Sequence, residues 1–257
     1  GFRTQALDSP AAKTAYGLKK GQNGVLVIKV FDNSPAAGKF EENDVILSID
    51  EYEIAEDGTI KLSEDLLTDY KHAIDLHHIG EEILVRYSRA GKEGSINLKA
   101  EKARDNYSLV KGEQFDRTPQ YYIYGGILFV PLNMNLIKRW GSDWTRSAPV
   151  SLLKMRNEWS SPERQEVVVA LQVLAGDVNL GYHDWRNWVV ESVNGKQVRD
   201  FKQFANLLKQ NLEDNVVFEN KNGYQMVINH DKAMESESTI LSQYRIPAAH
   251  SAELFSN

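Results

Sequence analysis

Apolar residues along this chain come in short β-rich runs separated by Gly, Asn, Asp and Pro, and the same grammar is used twice. Val25-Leu26-Val27-Ile28-Lys29-Val30 lies between Gly21-Gln22-Asn23 and Asp32-Asn33-Ser34-Pro35, which predicts a strand over 24–30. Ser34-Pro35-Ala36-Ala37-Gly38 reads as a short helical turn, with Pro at an early position and Gly at its exit. A second strand is predicted over 43–50. Leu66, Tyr70, Ala73, Ile74 and His77 fall at helical spacing, which predicts an amphipathic helix over 64–78 stopped by Gly80. Residues 82–87 and 94–98 predict a closing hairpin around Ala90-Gly91-Lys92.

Residues 101–120 are polar and weakly patterned, and read as a linker. Strands resume at Tyr121. Residues 133–166 carry Trp140, Trp144 and Trp159 with an apolar helical stretch at Val150-Ser151-Leu152-Leu153, and read as an insertion packed on a second domain. From Val167 the earlier grammar returns, with strands over 167–174 and 187–195. Residues 44–54 set above 188–198 bring the apolar positions into coincidence, and an amphipathic helix follows each, the second using Phe201, Phe204, Leu208 and Leu212. Closing strands are expected near 215–218 and 224–228, then a polar helix and a loose C-terminus. The predicted class is mixed α/β, mainly β: two small β-barrel or sandwich modules with capping helices. They cover 1–103 and 119–257, joined by a linker over 104–118, and the second is enlarged by the insertion over 133–166 and a helical tail.

Between the two halves lies Tyr121-Tyr122-Ile123-Tyr124-Gly125-Gly126-Ile127-Leu128-Phe129-Val130-Pro131, a buried-strand pattern interrupted by two glycines. Glycine serves where a side chain would block a close approach or a positive φ. One reading is a loop whose N–H groups form an anion-binding concavity, in which a peptide carboxylate sits while its chain pairs with the strand edge at Ile127 and Leu128. The other is a tight turn that binds nothing. Likewise the helix carrying Phe201 and Phe204 either flanks a groove or only closes a core.

Composition narrows the chemistry. The 257 residues are 42% hydrophobic and 26% charged, ordinary values for globular domains. A net charge of -6 gives no electrostatic reason to expect nucleic acid or an anionic membrane as partner, and the longest apolar run, 167–175, is too short to span a bilayer. With Cys 0, disulfides, thiol catalysis and cysteine-ligated zinc are excluded. No Gly-x-Ser-x-Gly elbow and no Walker or dinucleotide glycine pattern is present. His72, His77, His78, His183, His230 and His250 lie in no catalytic setting, and the adjacent His77-His78 pair diverges on a helix, so neither metal nor cofactor is expected.

At this point Gly24-Val25-Leu26-Val27 through Asp44-Val45-Ile46-Leu47-Ser48-Ile49 resembles the PDZ domain of Deg/HtrA-type serine proteases. The stretch from Tyr121 to Leu132, and Leu171-Gln172-Val173-Leu174 followed by Asp177-Val178-Asn179-Leu180-Gly181-Tyr182, are similar to the second PDZ domain of plant-type Deg proteases and their bacterial relatives. Ala233, Ile240-Leu241 and Arg245-Ile246-Pro247 fit the same group, so the resemblance covers nearly the whole chain. It departs at Asp50-Glu51, where the family has Asn-Gly, and at Trp188, where it has Asp. The resemblance implies a peptide-binding, regulatory segment of a trypsin-like, ATP-independent protease whose catalytic domain lies upstream of Gly1, in a periplasm or cell envelope. It places Gly1, Phe2 and Arg3 at the end of the first carboxylate-binding loop, and Gly125, Gly126, Ile127 and Leu128 at the second. Unfolded or C-terminal peptides with an apolar last residue are then expected against Phe2 and the helix face of Tyr70, Ile74 and His77. The expected rival role is structural: the second half holds protease subunits in a homo-oligomer, its glycine loop filled from within or by a neighbouring subunit, with the tryptophans of 133–166 either interface or core.

Overall fold

In the first half the chain forms β1 (Phe2–Ala6), α1 (Pro10–Ala15), β2 (Val25–Val30), β3 (Val45–Ile49), β4 (Tyr52–Glu53), β5 (Thr59–Ser63), β6 (Leu66–Asp69), α2 (Lys71–Asp75), β7 (Glu82–Arg89) and β8 (Lys92–Lys99). The computed structural model describes residues 1–101 and 107–255, and the chain divides into two compact units, Gly1–Tyr107 and Ser108–Asn257. The first unit is an antiparallel sheet in the order β1-β2-β3-β7-β8, with β4 on β3 and β5–β6 as a separate hairpin. Side chains alternate across a strand, so Val25 and Val27 of β2 and Ile83 and Val85 of β7 reach one core with Phe40 and Tyr70, and a register shift between Ile46 and Ser48 brings both Ile46 and Ile49 of β3 to the same core. Ser34–Gly38 is a succession of tight turns, Ala37 N donating to Ser34 O and Lys39 N to Ala36 O.

The helix expected over 64–78 is mostly not one. Its first part is the β5–β6 hairpin, with Ile60 paired to Thr68 and Thr59 to Asp69, and only Lys71–Asp75 is helical. Thr59-Ile60-Lys61-Leu62-Ser63 alternates with period two, and Glu64-Asp65 makes the turn. Leu66 and Leu67 stay 49% and 67% exposed, so the helical spacing of Leu66 with Tyr70 is a coincidence of a short window.

The second half forms β9 (Tyr122–Tyr124), β10 (Ile127–Pro131), α3 (Met134–Lys138), α4 (Trp144–Ser147), α5 (Val150–Arg156), β11 (Val168–Val173), β12 (Arg186–Val190), β13 (Ser192–Val193), β14 (Lys196–Gln197), α6 (Phe201–Lys209), β15 (Asn215–Glu219), β16 (Gln225–Asn229) and α7 (His230–Gln243). Two antiparallel sheets, β12-β11-β10-β9 and β14-β13-β15-β16, enclose a core of Phe129, Ala170, Phe201, Phe204, Phe218 and Ile228. The observed class is mixed α/β, mainly β.

Three short helices of 133–166 cover the other face of the first of these sheets. Ile137 and Leu152 join Val167 and Val169 in a further core, against which Trp140 and Trp144 lie partly buried. Leu109 and Val110 are buried in the same cluster, and Ser108 bridges to Trp159. The linker expected over 104–118 therefore belongs in part to this unit; residues 104–106 lie outside those described.

The repeat read from the pattern is physical. Asp50 and Asn194 both turn at positive φ, 50° and 47°, after β3 and β13. Asp50 N donates to Leu84 O while Asp50 Oδ1 accepts from Leu84 N; Asn194 N donates to Val217 O while Asn194 Oδ1 accepts from Val217 N. Ile54 and Val198 follow as buried partners, their N–H groups bonded to Leu47 O and Glu191 O at 2.9 Å. Asp50 thus performs in the first unit the clasp that Asn194 performs in the second. At the other departure, Asp44 is buried and receives Arg89 through both oxygens at 2.7 and 2.8 Å, holding the guanidinium firmly protonated. Trp188 instead packs against Trp185 and the core.

Candidate functional site

The first unit offers a strand edge. β1 pairs with β2 along one side, Phe2 opposite Val30 and Ala6 opposite Val25, and among the described residues no strand pairs with its other side. Gly1 anchors the start of β1: its carbonyl accepts from Phe31 N and from Ser34 Oγ, both at 3.0 Å. A Cβ there would lie 2.5 Å from Ser34 Oγ, so this approach requires glycine. Phe2 is half-buried, edge-on to Phe40 at 5.5 Å, and packs on the same core as Tyr70 and Ile74. Tyr70, just before α2, is buried, and its hydroxyl bonds Thr4 Oγ1 at 2.8 Å, joining the start of α2 to β1. Arg3 is exposed on the same strand.

Of the expected first-unit residues, Gly1, Phe2, Tyr70 and Ile74 are brought together around β1. His77 is not among them. It lies beyond α2, Nε2 bonded to Asp50 Oδ2 at 2.7 Å and Nδ1 3.5 Å from Glu81 Oε2, and ties the end of the helix to the β3–β4 turn. Thr4 and Ser34 were not singled out by sequence; a lone hydroxyl on a strand or in a turn carries no pattern that marks its partner.

The second unit is closed where the first is open. Gly125 and Gly126, at φ 54° and 78°, are the two-residue turn of a hairpin in which Tyr124 pairs with Ile127. The carbonyl of Gly125 accepts from Asn179 Nδ2 at 2.8 Å and that of Gly126 from Leu174 N at 2.7 Å. A Cβ on Gly125 would meet Ile228 at 2.7 Å, and one on Gly126 would meet Asn179 Nδ2 at 2.4 Å. Of the two readings of Gly125, Gly126, Ile127 and Leu128, these contacts favour the tight turn over an open carboxylate-accepting loop and edge: the glycines permit close packing. Ile127 and Leu128 lie on a strand paired along both sides, to Tyr124 and Ile123 on one and to Val173 and Gln172 on the other.

The outer edge of β9 is taken as well. Ile123 N donates to Ala249 O at 2.6 Å and Ser251 N to Tyr121 O at 3.0 Å, with Tyr122 bridged antiparallel to His250. Ala249, Ser251 and Leu254 are buried, and Phe255 meets the Tyr122 ring at 5.8 Å. The loose C-terminus expected from polarity is thus, over 249–255, a single antiparallel bridge beside β9 and a core plug, too short to stand out in sequence. Asn179, fully buried, is the clamp: besides its two amide donations, Oδ1 accepts from Gly176 N at 3.0 Å. Behind the turn, Tyr124 bonds His230 Nδ1 at 2.7 Å. Burial, reinforced by the charge of Glu237, pushes the Tyr122 phenol up to about 12, and burial also raises Tyr124.

Two PDZ domain family descriptions match, one over residues 1–100 and the other over 110–253. The chain is similar to "Protease Do-like 4, mitochondrial" of Arabidopsis thaliana, 28% identical over 96% of this chain and 44% of that protein. It is also similar to "Protease Do-like 2, chloroplastic" of the same plant, 28% identical over 99% of this chain and 41% of that protein. A "Serine protease DegP homolog" of Plasmodium falciparum (isolate 3D7) matches at 25% over 74% of this chain and 21% of that protein. The chain spans less than half the length of each of these relatives.

Proposed function

The chain belongs to the PDZ domain family, as a tandem PDZ region of the kind DegP-like proteases carry, and on that premise we propose that it is the non-catalytic, peptide-binding and regulatory segment of a trypsin-like, ATP-independent serine protease. Its modules, 1–103 and 119–257, divide the work. The first takes an extended peptide by strand addition to β1, backbone pairing supplying affinity and the surface at Phe2, Tyr70 and Ile74 supplying preference for an apolar end. The observation that carries this reading is the asymmetry of the two equivalent strands: among the described residues a strand pairs with β1 along one side only, whereas β10 has a strand on both. Capture of unfolded or C-terminal peptide would then be passed to the protease domain of the same protein. In this proposal the chain by itself cleaves no unfolded protein. The envelope location implied by resemblance draws no support from relatives named as mitochondrial or chloroplastic, and forms no part of the proposal. Among the described residues no helix is long and apolar enough to cross a membrane.

The test is titration of the protein with peptides that end in an apolar residue, with the C-terminus free or amidated. Tyr70→Ala, which removes the hydroxyl bond to Thr4 and part of the pocket, is expected to weaken binding about tenfold or more. Binding indifferent to both Tyr70→Ala and amidation would contradict the assignment. A trypsin-like triad is expected in the sequence preceding Gly1 of the full-length protein, and its absence would remove the protease part of the proposal.

A second reading rests on the closure of the second unit. A module whose strand edge is filled by its own chain serves assembly better than capture, and we take homo-oligomer formation as its role. The solution mass of the full-length protein across a concentration series tests it; a monomer throughout would count against it.

A further inference from the structure

A cluster of cations and indoles on the second unit belongs to neither the β1 edge nor the filled β9–β10 hairpin. Arg139 and Trp140, at the end of α3, and His183, Trp185 and Arg186, at the start of β12, converge over Leu171 of β11 from segments far apart in sequence. They enclose a cavity of about 550 Å3, within the usual range for ligand sites. Among the described residues no carboxylate lines it. Among the described residues neither Arg139 nor Arg186 is ion-paired, whereas Arg86, Arg89, Arg164 and Arg199 each hold an acid. The Arg139 guanidinium instead lies 5.7 Å from the centre of the Trp140 ring, a contact that orients the cation and leaves its donors available. A second cavity of about 600 Å3 shares Arg139 and Leu171 with the first, and carries both signs of charge in Lys111, Arg117, Glu166 and Glu253.

We infer that this trough is a second recognition site, for an acidic peptide segment in which an Asp or Glu stands beside an aromatic or aliphatic residue. The guanidinium fork of Arg139, with Arg186 close by, receives the side-chain carboxylate. The neighbouring apolar residue lies on Trp140, Trp185 and Leu171. Two features favour a peptide over a small anion. Arg139 and Leu171 line both cavities, so in this inference a chain lies along the two and passes the guanidinium with an internal residue rather than ending on it. The second cavity carries acidic as well as basic side chains, a mixture that suits a polypeptide better than a free anion. Because the site takes side-chain carboxylates, it is independent of the carboxyl-terminal capture proposed for β1, and either can fail without the other.

The experiment uses a heptapeptide blocked at both ends with Glu-Phe at its centre, its Gln-Phe counterpart, and inorganic phosphate, each titrated into the protein while tryptophan fluorescence is read. A saturable change is expected with the Glu-Phe peptide, weakened about tenfold or more by Glu→Gln in the peptide, by raised salt, and by the R139Q/R186Q double variant. Both arginines are exposed, and an unchanged circular dichroism spectrum verifies the fold of that variant. The inference is overturned if the two peptides bind equally, if phosphate gives the same change at the same concentrations, or if the double variant binds like the parent.

Discussion

Gly126 is held more tightly than any turn chemistry demands. Its φ of 78° is the same as that of Gly223, but a Cβ on Gly126 would lie 2.4 Å from Asn179 Nδ2 and 2.6 Å from Leu174 O, while nothing lies within 4 Å at Gly223. Comparing the two alanine variants therefore isolates the overlap from the backbone strain. Gly223→Ala is expected to cost about 1 kcal/mol and Gly126→Ala about 3 kcal/mol or more, read by denaturant unfolding. Equal losses would show that the turn is not packed as described. Asn179→Ala leaves the carbonyls of Gly125 and Leu174 and the amide of Gly176 without their partner, and about 1–3 kcal/mol is expected for each group that water does not reach. The glycine pair itself was legible in the sequence as a place of special backbone. Whether it faced a ligand or its own chain was not, because that depends on Asn179, more than fifty residues away, and a single buried amide leaves no periodic trace.

Titration at the residue scale has a definite sign. The unfolded Tyr122 phenol ionises near its ordinary value of about 10, and the folded one only at about 12. Its neutral form is the one the fold accommodates, so the stability it contributes is present below pH 10 and is lost as pH rises from there through 12. Unfolding free energies measured across this window are expected to fall more steeply for the parent than for Tyr122→Phe. Identical slopes would contradict burial of this hydroxyl.

At the scale of elements, β10 and the tail decide the character of the second unit. Leu254 is buried in the main core from a segment that also pairs with β9, so Leu254→Ala is expected to cost about 2–5 kcal/mol. The same variant should speed amide exchange at Ile123 and Ser251, whose hydrogen bonds fix the tail against β9. Unchanged exchange would mean that the tail is dispensable to the edge it covers. The strands were legible because short β-rich apolar runs, with glycine and asparagine between them, recur in both halves. The helix read over 64–78 was not correct, since Leu66, Tyr70, Ala73 and Ile74 match a helical stripe while Leu66 and Leu67 are mostly solvent-facing in a hairpin. The apolar face of α6 was legible from Phe201, Phe204 and Leu208, all buried in the core, but Leu212, expected on the same face, lies beyond the end of α6 and is exposed.

At the scale of the whole chain, two copies of one clasp, centred on Asp50 and Asn194, support modules with opposite states of their equivalent strands. That duplication could be read by setting 44–54 above 188–198, since apolar periodicity survives divergence. The division of labour could not, because strand pairing across β9, β10 and the tail is non-local. The most direct measurement is residue-resolved amide perturbation by nuclear magnetic resonance, with the protein titrated by an extended peptide bearing a free apolar C-terminus. Shifts are expected at Phe2, Thr4 and Ala6 of β1 and around Tyr70 and Ile74, with β9 and β10 unmoved. Perturbation centred on Gly126, Ile127 and Leu128, with β1 silent, would contradict the account.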